Sequence, residues 1–239
     1  DNTVNLSYTG AASDGEVEDY LVMIEEMPEE YDYGDAPEDA LAYSATAVIG
    51  WFPTCMNVGP VGSYVQHGLG GAYFGPSWDP EPDGNGGLCP SFAPYDNDEC
   101  FQDGDAGLII PEPFTIAGGV EVPCPNSIGT VLGRACQNAN WGPDIDIQVT
   151  NNMPNQTTAY VNVLIDWDQG GTWGGSSPCP MAATPEHVLV DFPVPAGFSG
   201  PLSALTPPGF LIGPNAGYVW ARFTITERPI MGTGTEWDG

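Results

Sequence analysis

Apolar and polar residues alternate with period two in several stretches of the C-terminal half. Asp144-Ile145-Asp146-Ile147-Gln148-Val149 alternates strictly, and residues 160–167 place Val161, Val163, Ile165 and Trp167 on one face. Residues 187–192 and 218–226 continue the pattern; in the latter Val219, Ala221, Phe223 and Ile225 share a face. Successive side chains of a strand point to opposite faces, so this period predicts half-buried β-strands. Turn residues separate them at Asn151-Asn152, Gln169-Gly170-Gly171 and Pro207-Pro208-Gly209. No stretch carries helical periodicity. The expected fold is all-β, an antiparallel β-sandwich over residues 116–239.

Upstream the pattern weakens. Residues 28–115 are dense in Gly, Pro, Asp and Asn and support short strands at most, at 47–52 and 106–110. A loop-rich region of this length buries too little apolar surface to offset its ordering entropy, so disulfides and bound ions are expected to staple it. Residues 1–27 hold a turn-rich lead-in and one strand, within Glu16-Val17-Glu18-Asp19-Tyr20-Leu21-Val22-Met23-Ile24. Its first half alternates and its second half is continuously apolar, as in a buried strand. Glu25-Glu26-Met27-Pro28-Glu29-Glu30 then breaks regular structure and reads as a solvated linker.

Charge narrows the partners. The 239 residues include 32 acidic side chains against three Arg and no Lys, a net charge of −29. Such a chain is not expected to bind nucleic acid or an anionic membrane. Its hydrophobic content of 41% separates it from disordered acidic segments. Many carboxylates in one compact body repel one another unless cations neutralise them, which makes Ca²⁺ the expected cofactor. No apolar run is long enough to insert in a membrane, and no signal peptide is visible, a secreted chain having lost it on processing.

The six cysteines, Cys55, Cys89, Cys100, Cys124, Cys136 and Cys179, form no Cys-x-x-Cys pair, and the only histidines are His67 and His187. Zinc is therefore not expected; three disulfides and an extracellular, oxidising location are. Of fifteen pairings, closure of short loops favours Cys89–Cys100 and Cys124–Cys136, leaving Cys55–Cys179. Two sequons, at Asn5 and Asn155, permit N-glycosylation.

Four acidic stretches hold candidate metal ligands. Asp79-Pro80-Glu81-Pro82-Asp83-Gly84 sets carboxylates at positions 1, 3 and 5 with Gly at 6, the opening spacing of a calcium loop. It has no flanking helix and no Glu at position 12, so it is not an EF-hand. A second cluster follows at Asp96, Asp98, Glu99, Asp103 and Asp105. Asp166 and Asp168 occupy positions 1 and 3 of another loop, where position 5 is Gly170, and their neighbouring Trp167 and Trp173 are expected to cap the sandwich core. Asp35 lies in the turn Tyr31-Asp32-Tyr33-Gly34-Asp35-Ala36-Pro37, either near a metal or solvated.

Gly-Glu-Val-Glu-Asp-Tyr at 15–20, the Tyr31 to Pro37 turn, Ile-Asp-Trp-Asp at 165–168 and Ala-Arg-Phe at 221–223 resemble the GEVED-type β-sandwich repeats of large secreted and cell-surface bacterial proteins. His67 and the segment from Asp79 to Gly84 follow in the order that family has. The resemblance implies calcium-dependent extracellular structure or adhesion and no defined catalytic activity. The chain departs from the family in lacking an acid at position 170 and in carrying six cysteines.

The chain ends in Trp237-Asp238-Gly239, where the signature of residues 14–20 begins again. One period of a repeat is expected, with the sandwich lacking its last strand. Residues 16–24 are expected to complete the sandwich of the preceding unit, joining copies head-to-tail into a filament. The alternative is a secreted carbohydrate-binding module presenting Trp51, Trp78, Trp141 and Trp173 to surface glycans. An enzyme is not expected: there is no recognisable nucleophile motif and no phosphate loop, although paired carboxylates for glycoside hydrolysis exist among so many acids.

Overall fold

The computed structural model describes residues 31–55, 58, 64–68, 70–78, 107–125 and 129–230. The expected strand at 16–24 and the acidic clusters at 79–83 and 96–105 lie outside the described residues. The first half contributes β1 (Tyr31–Asp32), β2 (Glu38–Tyr43), β3 (Val48–Trp51), β4 (His67–Gly68), β5 (Ala72–Phe74), β6 (Leu108–Ile110), β7 (Phe114–Ala117) and β8 (Val120–Pro123). The second half contributes β9 (Asn138–Ala139), β10 (Asp146–Asn151), β11 (Ala159–Ile165), β12 (Ser176–Pro178), β13 (Ala183–Pro185), β14 (His187–Val194), β15 (Ser199–Pro201), β16 (Phe210–Leu211) and β17 (Ala221–Thr226). The only helical pieces among the described residues are two 3₁₀ turns, Pro154–Gln156 and Leu202–Leu205.

Two antiparallel sheets pack face to face. In one, β10 lies between β15 and β5 and also pairs with β6; in the other, β11 lies between β14 and β17. Between them stand Ile147 and Val149 of β10, Val161, Val163 and Ile165 of β11, and Leu189 and Val194 of β14, all buried. Burying each such side chain stabilises the fold by roughly 1.5–3 kcal/mol. Trp167 joins the same core, as its position beyond β11 predicts. Phe74 and Phe223 meet edge to face across one side, 6.1 Å between centroids. The strands expected near 144–149, 160–167, 187–192 and 218–226 are thus present with shifted ends. Strands β5 and β6, both from the loop-rich region, pair with β10, so hydrogen bonds cross the expected boundary at residue 115.

The other face of β11 is also buried: Asn162, Leu164 and Asp166 are almost inaccessible. Over the Asp166 end of that face lies the β2–β3 hairpin, whose Ala42, Tyr43 and Phe52 pack with Trp173 and Trp220. Its attachments are polar. Trp220 Nε1 donates to Ala42 O at 3.0 Å, Tyr43 Oη donates to Asp166 Oδ2 at 2.9 Å, and Trp51 N donates to Gly171 O at 2.6 Å. Arg222 donates from Nη1 to Pro53 O and from Nη2 to Thr54 Oγ1, both at 2.8 Å. Burial pushes its guanidinium down to about 10, while Asp35, Glu38 and Asp32 favour its charge. Glu38, itself buried, accepts from the backbone N–H groups of Thr54 and Cys55 at 3.0 and 2.8 Å.

The disulfide pairing differs from expectation. Cys136 pairs with Cys179, which overturns both Cys124–Cys136 and Cys55–Cys179. Cys55 and Cys124 are also disulfide-bonded, and Cys89–Cys100 falls outside the described residues. The segment around Ile212 brings the two cysteines together. Cys136 N donates to Ile212 O at 3.2 Å and Cys179 Sγ lies 3.5 Å from the same oxygen. Sequence distance was a poor guide because closure entropy rises only logarithmically with loop length; the longer loop costs about 1 kcal/mol more, well within what tertiary packing supplies.

Replacing Arg222 tests the hairpin's attachment. Arg222→Ala leaves the buried acceptors Pro53 O and Thr54 Oγ1 without the guanidinium and strips the cation from Asp35, Glu38 and Asp32. The expected loss is roughly 3–5 kcal/mol in denaturant unfolding. Arg222→Lys, which cannot reach Pro53 O and Thr54 Oγ1 with one fork, should recover only part of it.

Candidate metal centre

Beyond the end of β11 the chain turns sharply. Asp166 N still donates to Trp220 O, continuing the ladder, and then Gln169 and Gly171 adopt positive φ of 57° and 80°. A β-carbon on Gly171 would stand 2.7 Å from Ile49 O, so glycine is required there both for its backbone angle and for the approach of β3. The turn wraps its own N–H groups around Asp166. Gly170 N donates to Oδ1 at 3.0 Å and Gly171 N to Oδ2 at 2.8 Å, beside the Tyr43 hydroxyl. Gly170 N also lies 2.8 Å from Asp168 Oδ1. From outside, Gln169 Nε2 donates to Tyr218 O at 2.9 Å and Asn215 Nδ2 to Asp168 O at 3.1 Å, which fixes the loop against the chain entering β17.

Glu186 completes the group from the link between β13 and β14. Its backbone is held on both sides: its carbonyl accepts from Ile165 N at 2.9 Å and its N–H donates to Gly175 O at 3.2 Å. One carboxylate oxygen from each of Asp166, Asp168 and Glu186 lies within 4.8 Å of the others. Asp166 is fully buried, Glu186 is 1% exposed, and Asp168 is exposed. Glu186 Oε2 is buried with no hydrogen-bond partner.

The electrostatics are those of carboxylates crowded without a counter-charge. Burial, then the charges of Asp166 and Asp168, push Glu186 up to about 7. Burial raises Asp166 as well, against the hydrogen bonds from Gly171, Tyr43 and Gly170. Burial and the Asp166 charge hold the Tyr43 phenol above its ordinary value. An orphaned carboxylate oxygen in an all-oxygen group fits a hard cation. The spacing also fits: one ion with bonds of about 2.3–2.6 Å spans oxygens up to about 5 Å apart, as Ca²⁺ does.

Of the residues singled out in the sequence, Asp166 and Asp168 are brought together. The acid missing at position 170 is supplied by Glu186, which sequence reasoning missed. A β-carbon at 170 would lie 2.6 Å from Asp168 Oδ1. Asp35 does not join the group; its charge is felt at Arg222. Asp79, Glu81, Asp83, Asp96, Asp98, Asp103 and Asp105 lie outside the described residues. The four tryptophans weighed for glycan binding form no exposed strip: Trp51 is exposed, Trp78 and Trp173 are half-buried, and Trp141 is buried. No protein-family model matches the chain, and neither a curated protein nor a solved structure matches it.

The shift on Glu186 has a definite sign. An acid whose pKa is raised by folding binds more protons in the native state, so stability falls as pH rises from the ordinary carboxylate range through about 7. In chelator, melting temperature should therefore fall between pH 5 and pH 8, and millimolar Ca²⁺ should cancel that fall. Glu186→Gln should raise the melting temperature in chelator at pH 8 and remove most of the calcium-induced gain. If Ca²⁺ stabilises this variant as much as the parent chain, Glu186 is not a ligand.

Proposed function

We propose that this chain is a calcium-stabilised structural module of an extracellular filament or surface adhesin, with copies joined head-to-tail by β-strand addition. The observation that carries the reading is the burial of the carboxylate group. A glycosidase also crowds carboxylates and raises the pKa of one, but its acid must touch the sugar. Asp166, beneath Tyr43 and the N–H groups of the 166–171 turn, and Glu186 are both buried, and only Asp168 is exposed, which suits a small cation better than a polysaccharide. The group therefore suits bracing rather than catalysis. Ca²⁺ there ties the end of β11, the entry to β14 and, through Tyr43, the β2–β3 hairpin. Disulfides and the acidic surface agree with an extracellular setting.

Electron microscopy of the purified chain tests the reading. Filaments should form in millimolar Ca²⁺ and disperse or thin out in excess chelator. Removing residues 1–27 should leave single units that do not polymerise. A chain that stays monomeric at high concentration with Ca²⁺, or a truncated one that polymerises normally, would rule out this assembly.

A further inference from the structure

The β11–β17 ladder assigns each backbone group of β17 to a side. Asp166 N donates to Trp220 O, and the register pairs Leu164 with Arg222 and Asn162 with Thr224. Hydrogen-bonded pairs recur at every second residue of an antiparallel ladder. Arg222, Thr224 and Thr226 thus point their backbone groups at β11, while Phe223 and Ile225 point theirs away from it. The His67 side chain hydrogen-bonds the backbone of Ile225. Among the described residues no backbone group meets Phe223 on that side, and β17 is the last strand of its sheet.

A groove of about 540 Å³ runs along this edge, from Arg222 to Glu227. Its other walls are β1, β4 and β5, with Val65, Phe74, Trp78 and Met153 giving it apolar surface. An apolar trough beside the unpaired N–H and C=O of Phe223 is the form of a site for β-augmentation, in which an extended segment supplies both the ladder and the side chains.

We infer that this groove is the acceptor of the assembly and that residues 17–24 of a second copy are its occupant. The choice of a second copy rests on the filament reading; the choice of segment rests on sequence. Outside the described residues, the stretch 79–106 is broken by Pro and Gly and 231–239 by Gly. Runs free of both and longer than the six residues of β17 stand at 1–9, 16–27 and 95–103, and of these only 16–27 holds four consecutive apolar residues, Leu21 to Ile24. Their apolar half, Leu21-Val22-Met23-Ile24, suits the Phe74, Trp78 and Met153 surface.

Amide hydrogen exchange on the full chain reads this directly, because the outward amides of Phe223 and Ile225 differ from the inward amides of Arg222 and Thr224. In dilute, unassembled chain the Phe223 amide should exchange fast while Arg222 and Thr224 are protected. On assembly in Ca²⁺ the Phe223 and Ile225 amides should slow by roughly a hundredfold or more. Leu21→Pro and Val22→Pro, at neighbouring positions that face opposite ways, should between them abolish assembly without changing the melting temperature of the unit. Filaments in which Phe223 exchanges as in the free chain would overturn the acceptor and leave the filament reading standing. A chain that never assembles, yet whose Phe223 is protected by a free peptide of residues 15–26, would keep the acceptor and remove the filament. Protection neither on assembly nor with the peptide overturns the inference. Concentration-independent protection of Phe223 in the monomer also overturns it, by showing that the segment occupies its own unit.

Discussion

Two buried charges on the outer face of the β11–β17 sheet set the terms for everything around them. Arg222 and Asp166 sit near one end of that face, and each needs its hydrogen-bonding capacity met because stranding a buried ion costs several kcal/mol. The β2–β3 hairpin meets both needs at once. Pro53 and Thr54 take the guanidinium, and Tyr43 reaches the carboxylate. Trp173 adds its ring, 5.4 Å from the guanidinium carbon, and packs on Phe52 at 4.2 Å. The hairpin is thus held to the sandwich chiefly by polar contacts over a small apolar cluster, and its seat depends on those contacts remaining paired.

This arrangement links the metal centre to the rest of the fold. Tyr43 Oη donates to Asp166 and accepts from Trp220 N at 3.2 Å, so one hydroxyl joins the hairpin, the carboxylate group and the entry to β17. A cation held by Asp166, Asp168 and Glu186 would keep Asp166 ionised and its acceptor role intact. Without one, the repulsion that raises Glu186 acts on the same turn that carries Gly171, where β3 is hydrogen-bonded. If the group holds an ion, its loss would be felt at the turn, then at the hairpin, with the sandwich core between β10 and β11 the last to respond.

The sandwich was legible because its signal is local. Period-two patterning in 160–167 and 218–226 reports a face, and a face implies a core. The same pattern hid the second burial. Asn162 and Asp166 fall on the polar side of the alternation, which carries no sign of burial, yet partners distant in sequence cover them: Asp191 and His187 for Asn162, Tyr43 for Asp166. Glu186 was missed for the same reason. A lone acid between Pro185 and His187 carries no spacing signal, and it becomes a ligand candidate only once β13 and β14 return it to the 166–171 turn. The cysteines failed differently: spacing was used where the contact around Ile212 decides.

The acidic surface and the open edge of β17 bear on one another. An unpaired strand edge invites indiscriminate pairing, and proteins commonly blunt it with charge. Here the blunting is global, since a net charge of −29 repels any second copy before its edges meet. That repulsion is screened over about 8–10 Å at physiological salt and is relieved further where divalent cations bind carboxylates. In the proposed assembly, a segment that brings a backbone ladder and an apolar half into the groove would offset what remains, which a chance encounter of two acidic surfaces would not. On the proposed function, an ion that quiets Glu186 within a unit would also lower the barrier between units, and calcium would then be a condition of specific assembly as well as of stability.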